Sequence, residues 1–556
     1  MRGWKLAAAL VLALAAILRF WGLDYGLPAV YHQDEPILMN HALAAAADMG
    51  RPGFYILPAL PMYVIDIGVG VFFVVGKLSG LFRSADDLLT LFLTDPTIFY
   101  LTARVLLGAL PGVLTVWVVM RAAVTGLTIG PMGALAAGIL AAFSPLAVQH
   151  AHYGYSDTLV TLALAVYLFQ CLRLIRGGGT RAAWGIGIAM GLAAACKYNA
   201  IFYAPAAAVA WLASADVRGR RLEMLGRMTL GCAAAFCIGS PYTILDGGQA
   251  LAQILKQADA TEAPGLWHHV QHSLAHGTHE SLLLAAGAGI LLLIRDRTRR
   301  AEALVIGVYA ASGLVSLGWF SQQFARYALP LIPALTMLAG VTVAACLRRD
   351  RRLGIAAAVM LSTPMLLTTA DLLRLMPRED TRTACLAWFK ENVPAGTVVA
   401  RDHTFFAPPL RQDPEWVLTA AGPADGVRRQ KSLRLAEVNA GFTTYKVMTI
   451  RPTPDFAAPF QGQRPLIDAT REALTASGVE YVIFNGSDQT AGIIRLRDEI
   501  ACGAPAAIFD PFRGKRKTSS DPIENTAAPL RRDALSERDR LGPYLEVYRL
   551  PGSCAE

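Results

Sequence analysis

The sequence has too few charged residues for a soluble protein of its length. Charged residues make up 17% of the 556 residues and hydrophobic residues 54%, whereas a typical soluble protein carries roughly 25% charged residues. The deficit lies in the first two thirds, where apolar runs recur at the length that a helix needs to cross a bilayer. No such run follows Asp371. We therefore predict a multi-pass α-helical membrane domain over residues 1–370 and a soluble α/β domain over residues 371–556.

Cysteine is also sparse, and the cysteines of the membrane domain show no metal-binding spacing. Basic residues are not arranged as a nucleic-acid surface either, because such a surface needs a stripe on one folded face. The net charge of +9 instead comes from short clusters between apolar runs. They are Arg173, Arg176 and Arg181; Arg218, Arg220 and Arg221; Arg295 to Arg300; and Arg348 to Arg352. This distribution argues against a nucleic-acid partner and is typical of cytoplasmic loops.

The basic clusters predict the topology through the positive-inside rule. Trp4 to Leu23 lacks a small-residue cleavage pattern and is predicted to be a retained helix rather than a cleaved signal peptide. Further spans are predicted at 98–120, 128–147, 157–175, 182–197, 198–213, 224–240, 281–294, 301–320, 328–346 and 353–370.

Met62 to Phe82 is also apolar, but if it crossed the membrane the basic clusters would all lie outside. We therefore predict that it lies along or dips into the outer leaflet. The result is about eleven spans, with a long first loop and the C-terminal domain on the outer side of a bacterial inner membrane.

The soluble domain carries local helix and strand signals. Helices are predicted at Thr383 to Asn392 and Asp468 to Ser477, and strands at Thr397 to Ala400, Val479 to Phe484 and Tyr544 to Leu550. The stretch from Gly486 to Arg540 gives no clear assignment. Since an outer compartment permits oxidation, Cys502 is predicted to pair with Cys554 and to leave Cys385 buried and free.

Acidic residues stand in two of the predicted outer loops. Asp34 and Glu35 follow the first span, and Asp157 begins the fourth. Each could simply cap a helix, and Pro36 at a first helical position favours that interpretation for the first loop.

Two cations stand at span ends on the same side. Lys197 ends the fifth span and Arg326 precedes the tenth. Either one alone could extend to the lipid headgroups. Because the charge rule disfavours cations on this side, their presence beside the acidic loops indicates a site.

This set of groups suits sugar transfer from a lipid phosphate. The reaction needs a base that takes the proton of the acceptor hydroxyl, and cations or a metal that stabilise the departing phosphate. Phosphate leaves readily, so the second carboxylic acid of a glycosidase is unnecessary.

Several motifs resemble one known family. Arg19-Phe20-Trp21-Gly22-Leu23 followed by His32-Gln33-Asp34-Glu35 is similar to the first-loop signature of the C-type membrane glycosyltransferases, and within them to the protein mannosyltransferase and aminoarabinose transferase relatives. Further stretches match in order: Ala103 to Leu106, Ser144 to Asp157, Gly191 to Asn199 and Arg326 to Pro330.

The resemblance implies an inverting transfer from a polyprenyl-monophosphate sugar to a lipid, glycan or protein acceptor at the membrane. Asp34 is then the base, and Asp157 and Glu35 are expected to assist in catalysis. Lys197 and Arg326 hold the phosphate. Arg104, His152 and Tyr198, which lie in the matching stretches, are expected to bind substrate.

A histidine-rich segment is not explained by this resemblance. His268, His272 and His276 would lie on one helical face, where paired histidines can bind zinc. The other interpretation is an interfacial loop, and a divalent metal ion therefore stays an open possibility.

A transporter or lipid flippase is the main alternative from another class. Transporters usually place ionisable residues near the middle of the membrane, often in repeated halves. Here the candidates stand at span ends and the sequence has no internal repeat. A catalytically inactive scaffold and a ligase of preassembled glycans are further alternatives.

Overall fold

The computed structural model describes most of the chain. The described residues are 2–215, 219–258, 266–319, 324–403, 406–421, 427–451, 466–486, 491–501, 504–512 and 530–550. Cys502 and Cys554, the predicted disulfide partners, lie outside them, whereas Cys385 is buried and free as predicted.

The first part of the chain is helical. Its α-helices are α1 (Arg2–Phe20), α2 (Glu35–Ala47), α3 (Leu60–Leu78), α4 (Ala85–Thr94), α5 (Thr97–Ala103), α6 (Leu110–Arg121), α7 (Gly130–Phe143), α8 (Pro145–His150), α9 (Ser156–Ile175), α10 (Gly179–Cys196), α11 (Pro205–Ala213), α12 (Arg221–Gly239), α13 (Tyr242–Leu245), α14 (Gly247–Ala258), α15 (Leu266–His268), α16 (His276–Thr278), α17 (Glu280–Arg295), α18 (Arg300–Trp319), α19 (Ile332–Arg349) and α20 (Arg351–Leu375).

Tighter or wider helical turns interrupt this series. The π-helical segments are Arg104–Ala109, Ala122–Gly126 and His269–Ala275, and the 3₁₀ segments are Tyr198–Tyr203, Arg297–Arg299 and Ala325–Leu331.

The apolar helices confirm a multi-pass membrane fold. Within the described residues, eight helices are long and apolar enough to cross a membrane, or nine if a pair bent by 103° forms one span. Two shorter apolar helices, Gly130–Phe143 and Tyr198–Ala213, coincide with predicted spans. The number eleven and the boundary at residue 370 stay predictions. Helix α3 also has the length and composition of a span, so its predicted position along the outer leaflet likewise stays a prediction.

Proline interrupts the bundle at one end of several helices. The predicted span 128–147 ends early because Ser144, which precedes Pro145, is extended at ψ 115°. The predicted span 198–213 starts as a 3₁₀ segment and becomes α-helical at Pro205. The span that contains Arg326 likewise begins as a 3₁₀ segment around Pro330. Each interruption places polar backbone and side chains at the same end of the bundle.

Close packing positions the end of α10. A Cβ atom at Gly187 would lie 2.2 Å from the Met228 carbonyl oxygen, and one at Gly191 would lie 2.3 Å from that of Cys232. Small residues let two membrane helices approach in this way. The backbone of α10 is therefore held against α12, and Lys197 follows directly at its end.

The C-terminal domain is built on a six-stranded sheet of order β3-β2-β1-β4-β6-β5. Its strands are β1 (Val398–Arg401), β2 (Lys446–Arg451), β3 (Leu466–Asp468), β4 (Tyr481–Asn485), β5 (Ala507–Phe509) and β6 (Leu545–Arg549). Its helices are α21 (Thr381–Asn392), α22 (Pro414–Ala421), α23 (Val427–Asn439), α24 (Arg471–Ala476), α25 (Ala491–Ile500) and α26 (Arg532–Ser536). The predicted soluble α/β fold is confirmed.

Parallel pairing joins the first four strands of this sheet. Val399 pairs with Val447 of β2 and with Tyr481 of β4, while β6 runs antiparallel to β4. Apolar clusters around Phe389 on one face and Leu474 on the other form its core. The predicted helices and strands all appear with small shifts of their ends, and the unassigned stretch contributes α25, β5 and α26.

Candidate functional site

Four charged side chains from distant parts of the sequence meet at one end of the helical bundle. An Asp34 carboxylate oxygen lies 2.6 Å from Nη1 of Arg326, and Nε of Arg326 lies 3.5 Å from a carboxylate oxygen of Asp157. Nζ of Lys197 lies 2.6 Å from the other Asp157 oxygen. The group forms a continuous row of alternating charge, which we call the ionic row.

Four different elements supply this row. Asp34 precedes α2, Asp157 is in the first turn of α9, Lys197 follows α10, and Arg326 belongs to the 3₁₀ segment before α19. Each residue stands where a helix starts or stops. Their side chains can therefore converge without breaking a helical backbone.

Helix capping by the acidic residues does not account for the contacts of this row, and the two cations have partners within the protein. Asp34 occupies the N-cap position of α2 but makes no side-chain capping bond, and α9 has none either. The charged atoms of Lys197 and Arg326 pair with the carboxylates of Asp157 and Asp34.

Exposure differs along the row. The side chain of Asp34 is 22% exposed, whereas those of Asp157 and Arg326 are each 6% exposed. Asp34 is therefore the carboxylate that an external molecule reaches most easily, and Asp157 is enclosed between the two cations.

Aromatic rings surround the two cations. Lys197 Nζ lies 4.3 Å from the ring centre of Tyr327, and the Arg326 guanidinium lies 4.3 Å from Phe324 and 5.2 Å from Tyr155. Such contacts stabilise a cation over a ring face. These rings were not among the predicted site residues, although Tyr327 adjoins Arg326 and Tyr155 lies two positions before Asp157.

Glu35 and Arg104 form a separate, buried ion pair. Two guanidinium nitrogens donate to the two carboxylate oxygens at 2.8 Å each, and the Gly154 N–H donates to Glu35 at 2.7 Å. Burial alone would raise the pKa of Glu35, but Arg104 and the Gly154 N–H hold it below its ordinary value. Both side chains are almost fully enclosed. Their contacts favour a structural role over direct contact with substrate.

His152 and Tyr198 also bind other parts of the protein. The ring nitrogens of His152 lie 2.7 Å from the Val148 carbonyl oxygen and 3.0 Å from that of Trp21. Burial lowers the pKa of His152 to about 4, so its ring is neutral at pH 7 and can donate only one of these bonds. Tyr198 lies 3.3 Å from the Thr243 hydroxyl. None of these hydrogen bonds reaches the ionic row.

His32 lies directly behind Asp34. The Asp34 N–H donates to Nδ1 of His32 at 3.3 Å, and the imidazole packs on Tyr153 at 4.1 Å between ring centres. Burial lowers the pKa of His32. The motif histidine therefore supports the backbone of the loop that carries Asp34.

No three His, Cys, Asp or Glu side chains among the described residues are grouped so that they could hold a metal ion. The predicted histidine stripe forms a row, with ring centres 4.6 Å apart for His268 and His272 and 5.6 Å apart for His272 and His276. In the ionic row, the two carboxylates already face cations. The arrangement therefore gives no support to a bound divalent ion.

Comparisons with known proteins place part of the chain beside one enzyme family. Residues 97–244 match the sequence profile of the dolichyl-phosphate-mannose-protein mannosyltransferase family. That region contains Arg104, Asp157 and Lys197, while Asp34 and Arg326 lie outside it. No curated protein matches the chain.

Two solved structures of ArnT from Cupriavidus metallidurans are similar over almost their whole length. The one bound to undecaprenyl phosphate has a TM-score of 0.51 at 14% identity, covering 99% of this chain and 98% of that one. The apo form has a TM-score of 0.51 at 15% identity, covering 98% of each chain. The oligosaccharyltransferase of Archaeoglobus fulgidus gives a TM-score of 0.48 at 12% identity, covering 87% of this chain and 70% of that one.

The family match and the two ArnT structures confirm the resemblance to the C-type membrane glycosyltransferases. The family match supports the predicted enzyme class, a glycosyltransferase, over a transporter or scaffold. The two ArnT matches confirm the fold.

Proposed function

We propose that the chain is an inverting glycosyltransferase that moves a sugar from a polyprenyl-monophosphate donor to an acceptor hydroxyl at the outer face of the inner membrane. The observation that carries this proposal is the ionic row. It combines one accessible carboxylate with two cations at the end of a membrane bundle. The matched family is named for a lipid-phosphate sugar donor, and one similar structure holds undecaprenyl phosphate.

Asp34 is the proposed base. It is the most exposed carboxylate of the row, and a carboxylate within hydrogen-bond reach of an acceptor hydroxyl can take its proton as the oxygen attacks the anomeric carbon. The bond from that carbon to the phosphate oxygen breaks in the same displacement, and the phosphate keeps the electron pair. A single displacement inverts the configuration at the anomeric carbon.

Lys197 and Arg326 are the proposed phosphate-binding groups. Arg326 offers a planar guanidinium and Lys197 a compact ammonium, which suit phosphate in different ways. The four side chains of the row sum to zero formal charge, so a bound phosphate would share the cations with the carboxylates. Asp157, which contacts both cations, would keep them together and direct them toward the donor. Glu35 was predicted to assist catalysis. In this proposal Glu35 and Arg104 instead hold the loop that carries Asp34.

Charge along the helices of the site supports the proposed outer location. In α9 and α10, Asp157 and Lys197 stand at one end while Arg173 and Arg181 stand at the opposite end. In α19, Arg326 precedes the helix and Arg348 lies in its last turn. Because basic clusters favour the cytoplasm, the ionic row would lie outside.

A direct assay tests the proposal. Purified protein in detergent micelles is mixed with a polyprenyl-phosphate sugar and a panel of lipid, glycan and peptide acceptors, and free polyprenyl phosphate is measured. Release that depends on an acceptor is expected, with inverted configuration in the product. A protein that binds polyprenyl phosphate but never releases it from the sugar under any of these conditions would contradict the proposal and favour a flippase.

A further inference from the structure

A buried polar joint connects the C-terminal domain to the loop that carries Asp34. The Tyr25 hydroxyl donates to the Asp380 carboxylate at 2.8 Å, and the Tyr31 hydroxyl lies 2.7 Å from that of Thr383. The guanidinium of Arg382 lies 3.6 Å from the centre of the Tyr31 ring. All of these contacts join the start of α21 to the segment just before α2.

The joint contains a buried ion pair between Asp380 and Arg382. Two guanidinium nitrogens of Arg382 donate to the Asp380 carboxylate at 2.8 and 2.6 Å, and the two side chains are 0% and 2% exposed. Asp380 also caps α21 by accepting the Arg382 N–H at 2.9 Å. Removing one partner would leave the other charge buried without compensation, which is strongly unfavourable. Each charge of the pair therefore depends on the other for its stability in the joint.

A second set of contacts holds the same loop from the membrane side. Arg104 donates to the carbonyl oxygens of Leu23 and Tyr25 at 2.8 and 2.6 Å, and to the Glu35 carboxylate. Glu35 adjoins Asp34 in the sequence. The loop is thus fixed at its start, through Tyr25, and at its end, through Glu35.

The turn between these points is packed against Tyr31. Gly26 has φ +67°, and a Cβ atom there would lie 2.5 Å from Cδ2 of the Tyr31 ring. Only glycine adopts this conformation readily and leaves room for the ring. Tyr31, three residues before Asp34, is therefore enclosed between the turn of its own loop and Arg382.

From these contacts we infer that the C-terminal domain positions the base, with Asp380 and Arg382 acting on Asp34 through Tyr25 and Tyr31. The inference rests on the proposed function of Asp34, and it assigns the soluble domain a part in turnover. A base must be held close to its productive geometry, since a displacement of about 1 Å can cost roughly 100-fold in rate.

Arg382→Met tests the inference, with Arg411→Met as the matched control. Arg411 also joins the C-terminal domain to the first loop, donating to the Thr94 carbonyl oxygen at 2.8 Å and lying 4.0 Å from the ring centre of Phe442. It lies at the far end of that loop from Asp34. Arg382→Met should lower kcat by roughly 10- to 100-fold and leave the affinity for polyprenyl phosphate within about 2-fold, while Arg411→Met should keep kcat.

Two further variants cover a failure of Arg382→Met to fold. Tyr31→Phe keeps the ring and removes the hydroxyl, and Asp380→Asn combined with Arg382→Met removes both charges together. Both should lower kcat more than donor affinity. Equal losses of kcat in the Arg382 and Arg411 variants, or a parallel loss of donor affinity, would overturn the inference.

Hydrogen exchange separates this inference from the proposed function. The peptide over residues 24–34 should exchange faster in Arg382→Met and at the native rate in Arg411→Met, whether or not sugar is transferred. Wild-type protein without transferase activity would contradict the proposed function. Unchanged exchange over residues 24–34 in the Arg382, Tyr31 and double variants would contradict the joint, whatever the activity.

Discussion

Asp34 and Arg326 form an ion pair with 2.6 Å between carboxylate and guanidinium. This contact connects the loop after α1 to the start of α19, and through Arg326 it reaches Asp157 and Lys197. It also explains why neither residue does what its own neighbourhood favours. Asp34 makes no side-chain capping bond to α2, and the Arg326 guanidinium pairs with Asp34 and Asp157.

Replacing Asp34 by Asn should abolish most of the turnover. The amide keeps the size of the side chain but cannot accept the proton, so the rate of transfer should fall by roughly 100-fold or more, with donor binding retained. The measurement is release of polyprenyl phosphate alongside its equilibrium binding. Asp24→Asn, an exposed residue of the same loop, is the control, and near-normal turnover in Asp34→Asn would remove Asp34 from the role of base.

Replacing Lys197 or Arg326 by Met should weaken binding of the lipid phosphate. Both cations would contact the donor before and during transfer, so KM should rise and kcat/KM should fall. Since either cation can partly compensate for the other, the double variant should lose more affinity than each single one. Titration with polyprenyl phosphate measures this effect. Unchanged affinity in the double variant would place the phosphate elsewhere.

Breaking the Glu35–Arg104 pair should destabilise the protein rather than alter its chemistry directly. Removing one partner of a buried pair costs about 3 to 5 kcal/mol, so Glu35→Ala should lower the free energy of unfolding by that order. Thermal unfolding in detergent measures it, with Asp246→Ala as a control, because its partner Arg51 is 48% exposed.

This pair should also give the stability a defined pH dependence. Because the folded protein holds the pKa of Glu35 below the ordinary value of 4.5, the stabilisation is present above pH 4.5 and is lost as the pH falls through the lowered value. Wild-type protein should therefore lose more stability on acidification than Glu35→Ala. Identical acid profiles for the two would contradict this assignment.

Cysteine labelling should decide the course of α3. If Leu60–Leu78 stays on the outer side, cysteines at Asp48 and Arg83, which flank it, are both labelled by an impermeant reagent from outside. A cysteine at Arg181 should be labelled from inside only. All of these cysteines are introduced into a Cys237→Ala variant, because Cys237 is exposed and could itself be labelled. Labelling of positions 48 and 83 from opposite sides would make α3 a span.

Local patterns allowed much of the fold to be predicted. Apolar runs indicate membrane helices because burial in lipid depends on each segment's own composition. The helices and strands around Asn392 and Val479 were also predictable, since their turn residues and periodicity are local. Prolines modified this result: Pro145 and Pro205 divide predicted spans into shorter pieces.

Local patterns were less informative about the site. The local pattern of Asp34, Glu35 and Pro36 favoured helix capping. In the structure, Asp34 instead pairs with Arg326 and Glu35 with Arg104. Such pairs depend on how distant helices pack, which local sequence does not encode. The rings of Tyr155 and Tyr327 beside the two cations were not predicted for the same reason, since these contacts also depend on how distant helices pack.

The sequence by itself determined the membrane class, the soluble α/β domain and the residue types of the site, because hydropathy, charge bias and motif spacing are properties of short segments. Only the tertiary structure decided which carboxylate faces which cation. It alone also joined Asp380 and Arg382 to Tyr25 and Tyr31, because buried charges select partners by geometry and burial after the chain has packed.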